Sequence, residues 1–172
     1  LVSLPEDIYI TPCGGTKMVG HIASLFLGQD IRPLVLLDGD DAGQIRKDAL
    51  MKELYYTHGS SILMLDEALG RKGEHIEIED IIGEDIILEA IKTLIKKPLK
   101  LNETDHKKGS LPAQIKTAAV RQSIELPDGW KVSVAIKIVS DLAEGKTVMP
   151  PSVLATASTL FNAIRDRFPM QP

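Results

Sequence analysis

The sequence is poor in cysteine, in aromatic residues and in long apolar runs, and each shortage excludes a class of protein. A single cysteine among 172 residues cannot form an internal disulfide, and no spacing of cysteine and histidine resembles a zinc site. No apolar run approaches the roughly 20 residues that span a bilayer, and no basic-then-apolar leader opens the chain. With only 3 Phe, 3 Tyr and 1 Trp, a platform for stacking single-stranded bases is not expected. We therefore expect a cytoplasmic protein without membrane contact.

The remaining composition is that of a folded protein with an uneven distribution of charge. Hydrophobic residues make up 44% and charged residues 26% of the chain, which favours one domain or one domain with an appendage. Residues 1–90 carry 7 basic and 17 acidic side chains, whereas residues 91–172 carry 13 basic and 7 acidic ones. This division fits simple clustering of surface charge. It also fits an acidic cation site beside a basic surface for a polyanion.

Strand-like and helix-like segments alternate in the first half. Short apolar runs bounded by turn residues predict strands, and apolar residues at helical spacing predict helices. The predicted strands are 8–12, 34–37 and 61–65, and the predicted helices are 17–27, with Thr16 as a cap, 44–56 and 84–97. This alternation predicts an α/β fold with a parallel sheet, right-handed crossovers and flanking helices. The continuous apolar strand 34–37 is expected to be buried on both faces.

The second half is predicted to be a helical subdomain. Residues 99–110 are polar and lysine-rich, as in a linker or an exposed loop. Helices are predicted at 112–123, at 130–143 and from Pro151 to Phe168, although 132–138 also alternates as a strand would. The predicted division is therefore a core at 1–98 and a helical subdomain at 99–172.

The acidic segment 38–43 (DGDDAG) is the most informative part of the sequence. It follows a predicted strand directly, and ligand sites in open α/β sheets lie at the carboxyl ends of strands. Asp38 and Asp40 point the same way if the chain stays extended, and hard divalent cations prefer carboxylate oxygens. Gly39 and Gly43 would relieve crowding where backbone or ligand approaches closely. The alternative is a solvated acidic turn that only caps the next helix.

The pattern of apolar strand, Asp-x-Asp-x-x-Gly and helix resembles the Toprim domain of topoisomerases, bacterial primases and OLD-family (overcoming lysogenization defect) nucleases. The OLD branch is the most similar, because a strand ending in Pro-Cys-Gly-Gly at 12–15 precedes the motif and Ile-Glu-Asp-Ile-Ile at 78–82 follows it. The resemblance covers roughly residues 8–95. It implies a Toprim-like catalytic core at 1–98, with the helical tail belonging to the same nuclease module.

The resemblance also implies roles for individual residues. Asp38 and Asp40 match the paired metal ligands of the family, and Glu79, with Asp80 as its alternate, matches the later acidic motif. Acidic residues at a helix N-terminus are the alternative explanation for that second pair. Lys131 is similar to a tail lysine that the family places near the scissile phosphate. Lys131 is otherwise a solvated helix lysine, and Lys137 competes for the role.

One expected element is missing from the sequence. Toprim domains begin with a strand that carries a glutamate, usually followed by glycine, and no Glu-Gly follows a strand before Ile8. The sequence also starts at Leu1 rather than at methionine. We therefore expect the first strand and its helix to belong to a longer parent protein.

The resemblance implies an Mg²⁺- or Mn²⁺-dependent DNA endonuclease with two metal ions. DNA would be held on the basic second half, and ATP would act only through a separate ABC-type ATPase domain of the parent. That domain would also form a homodimer, and a helicase is a further expected partner. Two alternatives remain open: a non-catalytic Toprim-fold module for DNA binding or dimerisation, and a phosphotransferase of the haloacid-dehalogenase type. The latter family has Thr or Val where this chain has Ala42.

Overall fold

The structure is a computed structural model that describes residue 4 and residues 8–168. Within this part the chain is a mixed α/β protein that is mostly helical, with one parallel sheet of two strands. The strands are β1 (Val35–Leu37) and β2 (Ile62–Met64). The helices are α1 (Thr16–Leu27), α2 (Asp41–Glu53), α3 (Leu65–Ala68), α4 (Ile78–Ile82), α5 (Glu84–Ile95), α6 (Leu111–Arg121), α7 (Trp130–Ala143) and α8 (Pro151–Arg165).

The chain divides into two compact units. The first contains the residues up to Ile76 together with those from Ala155 onward, and the second is Glu77–Leu154. The sequence placed the division at residue 98, yet α5 packs against α7 and therefore belongs to the second unit. Helix α8 begins in the second unit and continues into the first.

The first unit is built on a β–α–β element. Its strands β1 and β2 pair in parallel, and α2 connects them in sequence. Val35 pairs with Ile62 and Leu37 with Met64, so the two strand ends are in register. Their apolar side chains form one core with residues of α1, α2 and the segment after α2, namely Val19, Ala23, Leu50 and Tyr55. The β2 strand is wholly buried. In β1, however, Leu36 is 37% exposed, so burial on both faces is wrong for this strand.

The predicted strand at 8–12 is absent. These residues have no regular secondary structure, and Tyr9 and Ile10 are 88% and 74% exposed. Their β-branched and aromatic character favours an extended chain, but a strand forms only where a neighbour pairs with its backbone. The described sheet therefore has two strands instead of three.

Helix α2 starts at Asp41, three positions earlier than the helix predicted at 44–56. The reason is local, because the Asp40 side chain accepts a hydrogen bond of 2.6 Å from the Gly43 N–H and so caps the helix. The acidic segment 38–43, which resembles a metal-binding loop, therefore also forms the start of α2.

The second unit is helical, as the sequence predicts. Helices α5, α6 and α7 share one core that includes Ile87, Ile91, Ile115, Val134 and Ile138. Residues 130–143 form a single helix, so the helical interpretation of the alternating apolar residues is confirmed.

The segment 99–110 is anchored to this unit and is not a free linker. Leu99 and Asp105 are buried, and Asp105 accepts hydrogen bonds from the Arg121 guanidinium and the Asn102 N–H. These bonds satisfy a carboxylate that would otherwise be costly to bury. The lysine-rich composition of the segment gives no indication of the ion pair between buried Asp105 and Arg121.

None of the helices in the described part of the chain has the length and apolar character required to cross a membrane.

Candidate functional site

The acidic segment 38–43 lies directly after β1, at the carboxyl end of the two parallel strands. Gly39 is buried and exchanges two backbone hydrogen bonds with Ile76, of 2.7 and 3.2 Å. Asp38 and Asp40, on either side of it, are half-buried. The pairing with Ile76 therefore fixes the backbone between the two aspartates.

Both glycines of this segment fill positions without space for a side chain. A β-carbon at Gly43 would lie 2.1 Å from the Asp38 carbonyl oxygen, and one at Gly39 would lie 2.9 Å from the Asp66 β-carbon. Contacts of this length do not occur between real side chains and backbone. The expected role of both glycines in a close approach is confirmed, and the approaching group is the protein itself.

Asp40 has two possible uses that do not exclude each other. Its Oδ1 accepts from the Gly43 N–H, which is the capping role considered as the alternative for this segment. A carboxylate has further lone pairs beyond one capping bond, so metal coordination remains chemically available.

Asp66 is a member of this region that the sequence analysis missed. It lies in α3, two residues after the end of β2, and 8% of its surface is exposed. Its Oδ2 accepts a 2.8 Å hydrogen bond from the Gly73 N–H, whereas no donor in the described part of the chain reaches Oδ1. That oxygen lies 3.1 Å from the β-carbon position of Gly39. A buried carboxylate oxygen without a partner is unusual, because leaving it unpaired costs free energy.

In the second unit, Lys131 and Glu79 lie in contact. The Lys131 Nζ is 3.1 Å from the Glu79 Oε1, and it also donates a hydrogen bond to the Glu77 Oε2. Helix α7 supplies the lysine, and the start of α4 supplies the two glutamates. The structure therefore brings together two residues that the sequence analysis selected.

Glu77 is a second residue that the sequence analysis missed. Its Oε1 accepts a 2.5 Å hydrogen bond from the hydroxyl of buried Ser110. Burial raises its pKa, but hydrogen bonds from Lys131 and Ser110 outweigh burial, so the pKa of Glu77 lies below its ordinary value. Burial likewise opposes the charge on Lys131, yet the hydrogen bond to Glu77 and the nearby Glu79 charge raise the pKa of Lys131. Glu77 and Lys131 therefore both remain charged near neutral pH.

Asp80 serves the backbone. Its Oδ2 accepts from the Glu77 N–H and completes a capping box at the start of α4, and its Oδ1 accepts from the Leu111 N–H. Each carboxylate oxygen already has a short hydrogen bond. The helix-terminus explanation therefore describes what Asp80 does in this structure, and Glu79 is the better choice of ligand.

Lys137, the rival of Lys131, points elsewhere on α7. Its Nζ lies 2.5 Å from the Asp141 Oδ1, one turn further along the same helix. Asp141 lines a small cavity of about 180 Å³ with Asp85, Glu89 and apolar residues of α5 and α7. Lys137 thus contacts none of the acidic residues selected from the sequence.

The selected residues fall into two groups. Asp38 and Asp40 belong to the first unit, whereas Glu79, Asp80 and Lys131 belong to the second. Across residues 4 and 8–168, no three histidine, cysteine or acidic side chains converge tightly enough to hold a metal ion.

Comparison of the chain with protein-family models, with curated proteins and with solved structures finds no match.

Proposed function

We propose that this chain is the catalytic part of a metal-dependent DNA endonuclease with a Toprim-like core and a helical tail. The observation that carries the proposal is the position of Asp38 and Asp40 directly after β1, where ligands bind in open α/β sheets. The contact between Glu79 and Lys131 supports it, because the family resemblance assigns both residues to the reaction.

The donor atoms are of the chemical type that hard divalent cations bind. Asp38 and Asp40 of the first unit, and Glu79 of the second, offer only carboxylate oxygens, which suit Mg²⁺ or Mn²⁺ better than softer metals. Asp80 is not needed as a ligand, because both of its oxygens bond to backbone N–H groups. When bound, such ions activate water and stabilise the leaving oxygen of a phosphodiester.

The protein's own residues have separate tasks in this proposal. Asp38 and Asp40 would hold metal ions on a turn that the Gly39–Ile76 hydrogen bonds keep rigid. Lys131, charged throughout the neutral range, would offset negative charge on the phosphoryl oxygens. Glu77, which accepts a hydrogen bond from Ser110, would keep that lysine in place if Glu79 held a metal ion.

The remaining expectations belong to the same proposal. DNA is the substrate, the location is cytoplasmic, and ATP and a homodimer enter through an ATPase domain of a longer parent. A helicase is a further proposed partner.

Nicking of supercoiled plasmid by the parent protein tests this proposal, with Mg²⁺, with Mn²⁺ and with EDTA. We expect nicking only with metal, and a loss of at least about 100-fold in Asp38→Asn and in Asp40→Asn. Asparagine caps helices as well as aspartate does, so Asp40→Asn separates ligation from capping. Asp41→Asn is the matched control, because the neighbouring Asp41 side chain is 93% exposed.

Each contrary outcome has a defined meaning. Nicking that survives in both Asp38→Asn and Asp40→Asn rejects the endonuclease assignment. DNA binding without metal-dependent nicking by the parent protein favours a non-catalytic module. Metal-dependent hydrolysis of p-nitrophenyl phosphate without nicking favours the phosphotransferase.

A further inference from the structure

A basic groove lies between α1 and α2 of the first unit. Its volume is about 520 Å³, within the range of ligand sites. Helix α1 contributes Lys17, Gly20, His21 and Ser24, which follow one another at the spacing of a single helical face. Helix α2 contributes Arg46 and Glu53, and two leucines complete the lining.

The groove is basic, although it belongs to the acidic first half of the sequence. Residues 1–90 have 17 acidic and 7 basic side chains, yet the described lining of the groove holds two of the basic ones, Lys17 and Arg46, and one carboxylate, Glu53. No carboxylate in the described part of the chain forms an ion pair with Lys17 or Arg46. By contrast, Lys47 and Arg71 of the same unit bind Glu67 and Glu74.

Arg46 lines the groove, where it can contact a ligand that enters. Its guanidinium Nη1 lies 3.8 Å from the β-carbon position of Gly20, an ordinary van der Waals distance, so the guanidinium lies against α1. A guanidinium presents a planar set of N–H donors that matches the oxygens of a phosphate. Lys17 and His21, one turn apart on α1, add donors along the same groove.

The lining also indicates which part of a polyanion fits. Among the described residues no aromatic side chain lines the groove, so nothing there would stack on a nucleobase. Lysine, arginine and histidine donors without base-reading partners bind the sugar-phosphate backbone. We propose that this groove binds the phosphodiester backbone of duplex DNA, in addition to the basic second half. This inference rests on DNA being the substrate in the proposed function, but it needs no hydrolysis and is tested without metal.

Fluorescence anisotropy with a labelled DNA duplex, in EDTA and over a range of salt concentrations, tests the groove in the full chain. The double variant Lys17→Gln/Arg46→Gln should bind more weakly, and the slope of log K against log salt should fall by about 2. Glu53→Gln should bind more tightly, because it removes the one negative charge of the groove.

The matched control is Lys47→Gln/Arg71→Gln, which removes the same charge from cations that already have carboxylate partners. Its salt slope should stay within error of the starting protein. Equal losses in the two double variants would overturn the proposal, as would an unchanged slope in Lys17→Gln/Arg46→Gln. Because EDTA prevents cleavage, either result leaves the nicking test of Asp38 and Asp40 unaffected.

Discussion

The ammonium group of Lys131 lies 3.1 Å from the carboxylate of Glu79, although a loop and two helices separate the two residues in sequence. Glu77 binds the same ammonium group from the start of α4. Two carboxylates therefore hold one half-buried lysine. If Glu79 binds a metal ion, the lysine retains Glu77 as its partner, and its position does not depend on Glu79 alone.

Substitution of either lysine of α7 should change the stability of the protein to a similar extent, whereas only substitution of Lys131 should reduce nicking. We expect Lys131→Met to reduce plasmid nicking by about 100-fold or more, because it removes the charge that faces the phosphoryl oxygens in the proposed reaction. Lys137→Met also removes an ion pair from α7 and should leave nicking within about twofold. Equal activity in the two variants would contradict the role proposed for Lys131.

Glu77 should make the stability of the protein depend on pH under acidic conditions. Its pKa is lower in the folded protein than the ordinary value of 4.5, so its contribution is fully present above that value and is lost as the pH falls through the folded pKa. Glu77→Gln should lower the free energy of unfolding at pH 7 by about 1 kcal/mol, since the Lys131 partner is partly exposed. Urea unfolding at pH 7 and pH 3 measures this difference. A difference that persists unchanged at pH 3 would show that the charge of Glu77 is not its cause.

Two helical glycines should respond to alanine with opposite signs. At Gly43 the new β-carbon meets the Asp38 carbonyl oxygen at 2.1 Å, so Gly43→Ala should destabilise the protein by about 1–3 kcal/mol. At Gly20 the nearest atoms are 3.8 and 3.9 Å away, so Gly20→Ala should stabilise α1 by up to about 1 kcal/mol. Thermal unfolding of both variants is the measurement. Stabilisation by Gly43→Ala would mean that the turn at 38–43 has a different backbone.

Asp66 should tolerate asparagine better than alanine. Asp66→Ala removes the acceptor of the Gly73 N–H and should cost about 1–3 kcal/mol. Asp66→Asn keeps that acceptor and removes a buried charge that has one unpartnered oxygen, so in EDTA it should be at least as stable as the unaltered protein. Urea unfolding in EDTA compares the two. Equal destabilisation by both substitutions would show that the Asp66 charge itself holds the loop.

The sequence predicts those elements whose signal is local. Apolar residues at helical spacing locate α5 and α7, and a short apolar run followed by an acidic turn locates β1. The run at 8–12 carries the same local signal, yet pairing with a neighbouring strand decides whether a strand forms. Local patterns report propensity, whereas pairing depends on residues distant in the chain.

The same reasoning explains which site residues were missed. Asp38 and Glu79 stand in short motifs that resemble a known family. Glu77 and Asp66 stand in polar segments without periodicity, and their importance comes from partners such as Ser110, Lys131 and Gly39. No feature of the sequence around either residue indicates those partners.

Helix α8 begins in one compact unit and continues in the other, which limits how the protein can be shortened. A fragment that stops at Leu154 would retain only the first turn of this helix, and helices that short are marginal in water. A cut that separates the two units should therefore lie in the irregular segment before Pro151, so that residues 151–165 stay whole in one piece.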